Sequence, residues 1–268
     1  MIGIFDSGLG GLTVLQKIKK KLPQYDYLYL GDTLHVPYGN RSDEAIYELT
    51  SKACVFLFNQ GCELIVIACN TATAKALRRL QKEFLPNLKN RGHKNILGVV
   101  RPLAEYVGQK VLKKVGVIGT IGTINSHAYQ KEIFALNENL KVIESSAPLL
   151  VPLIEEGWVN QAETLMILKK YLRIFQKEKV ETLILGCTHY PMLLQKFKKI
   201  LKNKINVPDP GKIIADSLQD YLLRHPEIEK NLKINGRIRY CVTDKNENFA
   251  QTAKGFLHKK IKIEKVVL

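Results

Sequence analysis

Two segments of the chain are near-copies of each other. Glu63-Leu64-Ile65-Val66-Ile67-Ala68-Cys69-Asn70-Thr71 and Glu181-Thr182-Leu183-Ile184-Leu185-Gly186-Cys187-Thr188-His189 run in step at one offset (187 − 69 = 118). Each is an apolar run of strand length that stops at a small residue, then presents a thiol and hydroxyl or amide side chains. A second pair, Ile2-Gly3-Ile4-Phe5-Asp6-Ser7 and Val115-Gly116-Val117-Ile118-Gly119-Thr120, is similar at a slightly different offset (115 − 2 = 113). Apolar runs of this kind belong to sheets buried on both faces, which are predominantly parallel. The duplication therefore predicts two related α/β halves, each with one Gly/Ser/Thr turn and one Cys turn at the ends of its strands.

The rest of the chain fits that frame. Short apolar runs predict strands at 3–5, 27–30, 64–68, 96–100, 115–118, 141–145, 182–186 and 238–243, with helical periodicity between them at 42–60 and 163–178. In open α/β sheets, ligands bind beyond the carboxyl ends of strands, where helix amino termini also gather. At 268 residues the chain has room for one large domain or two smaller ones. No apolar run nears the roughly 20 residues of a membrane span. The amino terminus reads as a first strand and not as an export signal, so a cytoplasmic protein is expected. Five cysteines without close pairs fit free thiols in a reducing compartment and offer no zinc-type ligand spacing. The net charge of +16 raises nucleic-acid binding. Its lysines (17, 19, 20 and 21; 196, 198, 199 and 202; 259, 260 and 262) are dispersed without interleaved aromatics, so a solvated basic surface is the preferred reading.

Four turns carry chemistry. Asp6-Ser7-Gly8-Leu9-Gly10-Gly11 precedes a helix starting near Leu12; its glycines are expected to admit a ligand, with a capped tight turn as the plain alternative. It is neither a dinucleotide fingerprint nor a P-loop. Cys69-Asn70-Thr71-Ala72-Thr73 and Cys187-Thr188-His189-Tyr190-Pro191 both look like helix openings, where a thiolate is favoured. Asn70, Thr71, Thr73 and Thr188 offer donors and acceptors for an amino acid, and His189 is placed to exchange a proton. Two matched thiols facing one cleft suit inversion of a carbon centre. Pro37-Tyr38-Gly39 comes after Gly31-Asp32-Thr33 as a loop that either offers N–H groups to a carboxylate or is a plain turn. Cys54, Cys62 and Cys241 read as inert packing, and His35, His93, His127, His225 and His258 as surface or satisfied core groups.

At these residues the chain resembles the glutamate racemases of the aspartate/glutamate racemase superfamily. The matching elements are Asp6-Ser7-Gly8-x-Gly10-Gly11, Pro37-Tyr38-Gly39, Cys69-Asn70-Thr71-Ala72, Val151-Pro152-Leu153-Ile154-Glu155 and Gly186-Cys187-Thr188-His189-Tyr190-Pro191, in family order over nearly the full length. Tyr240-Cys241-Val242-Thr243-Asp244 and the closing strand are also similar. Departures are the basic stretch 86–94 and Arg101. The resemblance implies two pseudo-symmetric three-layer α/β domains with mainly parallel sheets, residues 1–96 plus 209–268 and residues 97–208, and an active site in the cleft between them. It implies interconversion of L- and D-glutamate without a cofactor or metal. The thiol matching Cys69 would act on D-glutamate and that matching Cys187 on L-glutamate, assisted by Asp6 and His189. Substrate-binding positions implied are Ser7, Tyr38, Gly39, Asn70, Thr71, Thr73, Thr120, Thr123, Thr188 and Glu155. A homodimer and a role in supplying D-glutamate for peptidoglycan are implied as well. Rival readings are racemisation of aspartate, a two-domain binding protein with a redox-sensitive cysteine pair, and, weakest, a nucleic-acid or gyrase partner.

Overall fold

The computed structural model describes residues 1–245 and 261–268. His258, Lys259 and Lys260 lie outside the described residues. Among the described residues, two sheets with every strand pair parallel organise the chain. The first is built from β1 (Ile2–Asp6), β2 (Tyr27–Gly31), β3 (Leu64–Ile67), β4 (Asn95–Gly98), β8 (Ile238–Val242) and β9 (Ile263–Lys265), in the order β4-β3-β1-β2-β8-β9. The second holds β5 (Lys114–Gly119), β6 (Lys141–Ser146) and β7 (Thr182–Gly186), in the order β6-β5-β7.

The duplication seen in the sequence extends to pairing register. In the first sheet Ile2 faces Leu64 and Phe5 faces Ile67; in the second Val115 faces Thr182 and Ile118 faces Leu185. These are the same pairs carried forward by the two sequence offsets. A slip of one residue would turn each strand's side chains to the opposite face, so the register of a doubly covered strand is strongly specified. Both sheets also change winding direction at the equivalent place: β1 lies between β2 and β3, and β5 lies between β6 and β7. A crevice opens at the carboxyl ends of such central strands. Asp6 and Cys69 stand at one crevice, Thr120 and Cys187 at the other.

Helices α1 (Leu12–Lys21), α2 (Asp43–Asn59), α3 (Asn70–Arg79) and α4 (Val100–Gly108) come after strands β1 to β4. Helices α5 (Ile121–Asn125), α6 (Ala128–Phe134), α7 (Leu150–Glu155), α8 (Ala162–Lys177) and α9 (Leu194–Ile200) belong to the second sheet's layers. Helix α10 (Pro210–Arg224) returns the chain to the first sheet. It starts at Asp209, whose carboxylate accepts from Gly211 N at 3.0 Å, with Pro210 in the first turn. It lies along α1, pinned by Lys17–Asp209 and Lys21–Asp216 ion pairs at 2.7 and 2.8 Å. One apolar core runs from Ile2, Ile4 and Leu64 of the first sheet to Ile118, Leu183 and Leu185 of the second. The two outer layers have separate cores.

Two local expectations change. The apolar run 96–100 is not one strand: β4 ends at Gly98, and Val99 and Val100 open α4, both buried. Hydrophobicity alone does not separate a buried strand end from the first turn of a buried helix. Leu97 and Gly98 still pair with β3, so the first sheet extends past residue 96. The Cys187 turn does not open an α-helix directly. A 3-10 turn at Tyr190–Leu193, with Pro191 in it, intervenes before α9.

Candidate active site

Cys69 caps α3. Its sulfur accepts from Ala72 N at 3.4 Å and its thiol donates to Ser7 Oγ at 3.5 Å. The cap satisfies one of the orphan N–H groups of the first helical turn. Burial, and after it the negative charge of Asp6, pushes the thiol up to about 12, against the pull of those two hydrogen bonds. Cys69 is therefore held as S–H at neutral pH.

Cys187 has different company. Its sulfur is 3.9 Å from His189 Nδ1, and His189 Nε2 is 2.9 Å from Glu155 Oε1 at the end of α7. Burial by itself would depress the imidazole, but the neighbouring Cys187 and Glu155 outweigh it and raise His189 to about 10. A protonated imidazole beside a sulfur is the counter-ion that a thiolate needs. The two turns thus present one protonated thiol and one sulfur beside a cation.

Asp6 is fully buried at the tip of β1. Its carboxylate accepts from Gly8 N at 3.1 Å and from Thr188 Oγ1 at 3.2 Å. Burial raises its pKa, opposed by His189 and by the Gly11 and Gly8 N–H groups. The carboxyl group at the start of α1 is therefore Asp6's own, tied to the Cys187 turn through Thr188. This corrects the role given to the glycines. A Cβ on Gly10 would come within 2.3 Å of Thr188 Oγ1 and 2.5 Å of His189 Nδ1, and one on Gly11 within 2.5 Å of Asp6 Cβ. Gly10 leaves room for Thr188 and His189 of the facing turn and Gly11 for Asp6 of its own turn, and neither lines the cavity described next.

Between the turns lies a cavity of about 320 Å³, in the range of small-molecule sites. Ser7, Tyr38, Gly39, Cys69, Asn70, Thr71, Thr120, Cys187, Thr188, His189 and Glu155 all line it, with Val36, Ile121, Pro148, Val151 and Pro152 as its apolar wall. Two threonines expected at the site stand behind the wall. Thr73 donates to Ile67 O at 2.9 Å and serves the packing of β3 on α3. Thr123 is fully buried, 3.2 Å from Thr71 Oγ1 and 3.1 Å from Thr120 Oγ1, so it orients the two hydroxyls that do face the cavity. Thr120 caps α5 by accepting from Thr123 N. Glu155 meets His189 at the cavity edge.

Several hydrogen bonds cross the cleft: Thr13 Oγ1 to Thr188 O at 2.9 Å, Gly122 N to Gly39 O at 2.9 Å, Thr71 to Thr120 at 2.9 Å, and Tyr129 OH to Asn70 Oδ1 at 2.6 Å. Thr13, Tyr129 and Asp32 escaped sequence reasoning. Asp32, buried, accepts from Tyr38 OH at 2.6 Å and Thr243 Oγ1 at 2.8 Å and lies 2.8 Å from His35 Nδ1, which anchors the Tyr38-Gly39 loop. Thr13 and Tyr129 sit in helical stretches whose periodicity explains them as core, and nothing local marks their hydroxyl partners. The basic stretch 86–94 contributes nothing to the cavity. Among the described residues, no helix is long and apolar enough to cross a membrane.

Residues 2–218 match the family described as Asp/Glu/Hydantoin racemase. Glutamate racemase from Sulfurihydrogenibium sp. is 39% identical over 269 residues, covering 100% of this chain and 97% of that protein. The crystal structure of glutamate racemase from Francisella tularensis in complex with D-glutamate superposes with a TM-score of 0.88 at 33% identity, over 99% of this chain and 97% of that one. A glutamate racemase isoform from Bacillus anthracis gives a TM-score of 0.90 at 33% identity, over 100% and 97% of the two chains.

Proposed function

The chain belongs to the Asp/Glu/Hydantoin racemase family, and from that membership we propose that it interconverts L- and D-glutamate by a two-base reaction needing no cofactor. The observation that carries the reading is the asymmetric pair of cysteine turns flanking one small cavity. The α-proton of an amino acid is a very weak acid, because its loss leaves a carbanion beside a carboxylate. A base on one face must take it while an acid on the opposite face supplies another. Cys187, with the His189 cation beside it, is the base toward L-glutamate, and Cys69, held as S–H, is the acid that completes the inversion. For D-glutamate the roles exchange. Each turnover leaves the two sulfurs in swapped protonation states.

The developing enediolate needs hydrogen-bond donors set in place beforehand and shielded from bulk water. Ser7, Asn70, Thr71, Thr120 and Thr188 supply hydroxyl and amide groups from turns on both sheets. The cleft between the unit carrying the first sheet (β1–β4, β8 and β9) and the unit carrying the second (β5–β7) supplies the enclosure. In the cell the product would feed peptidoglycan synthesis, a role that would put the protein in a bacterial cytoplasm.

The direct test is isotopic. In heavy water, solvent deuterium is expected at the α-carbon of both glutamate enantiomers, and at least tenfold more slowly into aspartate, whose shorter chain leaves part of the cavity unfilled. Absence of exchange into either glutamate enantiomer removes the reading.

A pH dependence arises from His189. With its folded pKa near 10 against an ordinary 6.5, its charge contributes stability that is fully present below about pH 6.5 and lost as pH rises through about 10. Activity toward L-glutamate is expected to fall on the same alkaline limb. Glu155→Gln removes a charge that holds the imidazolium, so both limbs are expected to move to lower pH. Profiles of kcat/KM and of unfolding midpoints measured from pH 6 to 11 report this, and coincident limbs for the two proteins would contradict it.

A further inference from the structure

Resting on the glutamate reading above, we propose that Tyr129 is a positioning residue that bridges the two cysteine turns and aims the Asn70 side-chain N–H groups into the cavity. Tyr129 comes from α6, in the half of the chain that carries Cys187, and is fully buried. Its hydroxyl donates to Asn70 Oδ1 at 2.6 Å, and Asn70 is the residue directly after Cys69. Its ring lies against Gly186, directly before Cys187: a Cβ at Gly186 would come within 3.1 Å of Tyr129 Cε2. One rigid side chain therefore touches a neighbour of each sulfur.

The direction of the hydrogen bond matters for chemistry. Burial, with the charge of the nearby Cys187 added, holds the phenol far above its ordinary value, so Tyr129 is a neutral O–H donor at any working pH. A carboxamide has one acceptor oxygen and two N–H donors. With the oxygen engaged by Tyr129, the N–H groups are the part of the Asn70 side chain left to meet a ligand in the cavity that Asn70 lines. The carboxylate of an amino acid and its enediolate are acceptor-only groups. A flipped amide would turn its own oxygen toward them and repel the charge as it builds. Tyr129 thus selects one of two near-isosteric orientations of Asn70, across a domain boundary, without touching substrate. Because negative charge on the carboxylate oxygens is greatest at the transition state, the contribution falls on kcat more than on KM.

The experiment is a double-mutant cycle with Tyr129→Phe and Asn70→Ala, read as kcat and KM for both enantiomers of glutamate. Tyr129→Phe keeps the ring against Gly186 and removes the donor. It is expected to lower kcat about tenfold or more, an amount in keeping with loss of one buried neutral hydrogen bond and the freed amide. It is expected to have no further effect in the Asn70→Ala background. Equal effects of Tyr129→Phe in both backgrounds would overturn the proposal, since a purely structural role gives additive losses. Asn70→Asp is the second arm, independent of how Tyr129→Phe folds: its carboxylate still accepts from Tyr129 but offers no N–H, and it is expected to lose at least as much kcat as Asn70→Ala. Wild-type kcat in Asn70→Asp would overturn the proposal too. Turnover of glutamate by the unaltered chain reports on the underlying reading; the coupling between positions 129 and 70 reports on Tyr129.

Discussion

Cys69→Ser and Cys187→Ser are each expected to lower glutamate racemisation by about 10³-fold or more, within the range for losing a positioned acid–base group. A serine hydroxyl is a far weaker acid than a thiol, so it neither holds a usable anion at neutral pH nor donates as readily to a carbanion. The informative signal is the exchange that survives. In Cys69→Ser the His189-backed sulfur of Cys187 remains, so α-proton exchange without inversion is expected from L-glutamate. In Cys187→Ser the remaining Cys69 faces D-glutamate, and exchange should be confined to that enantiomer. The two residual rates should differ. Cys69 is pushed up to about 12 by burial and Asp6, whereas Cys187 lies beside an imidazole raised to about 10. Exchange in Cys69→Ser is therefore expected to be the faster. Proton NMR of each enantiomer in heavy water measures it. Equal wash-in from both enantiomers in either variant would dismantle the one-thiol-per-face assignment.

Gly10→Ala is expected to cost about 1–3 kcal/mol of stability, as overpacking in a closed interior does, and to lower kcat by about 10²-fold. The added methyl would sit within 2.3 Å of Thr188 Oγ1 and 2.5 Å of His189 Nδ1. Neither neighbour yields freely. Thr188 Oγ1 donates to Asp6 at 3.2 Å, its backbone oxygen accepts from Thr13, and His189 is held by Glu155 at 2.9 Å. The Cys187 turn must then retreat from the Cys69 turn, and proton transfer to and from the two faces of one carbon depends steeply on that spacing. Gly8→Ala is the contrast. Its nearest neighbour is Val36 Cγ1 at 3.2 Å, which rotates aside, so a loss under tenfold is expected. Racemisation measured by polarimetry, with urea unfolding of the same samples, separates the two effects. Wild-type kcat in Gly10→Ala would show that the turns are not held at a critical distance.

Much of this site was legible in the chain because its chemistry sits on strand ends. A strand buried on both faces must be a short apolar run, and the chain beyond its last residue must turn. Cys69 and Cys187 stand out against that background, and so do Asp6, Asn70, Thr188 and His189 beside them. Other features were not legible for physical reasons. The run through Val99 and Val100 is apolar in both a strand and a buried helix start. Thr73 and Thr123 share the residue type and motif position of Thr71 and Thr120 but are rotated behind the wall by helical geometry. The glycines of the Asp6 turn looked like room for a ligand, and the neighbours that claim the room at Gly10, Thr188 and His189, come from the far half of the chain.

The linear chain already encodes the duplicated α/β architecture, the parallel strands and the two thiols at equivalent strand ends, because these arise from periodicity and from a repeat that preserves register. It also carried the family motifs. The difference between the two thiols arises in the folded molecule. Asp6 serves the Cys187 turn through Thr188 while its charge acts on Cys69; Glu155 holds the imidazole beside Cys187; Tyr129 reaches from one half to orient Asn70 in the other. Burial and charge at a site arise from groups brought together from distant parts of the chain. A local pattern can place a sulfur on a strand end, but its protonation state belongs to the assembled cleft.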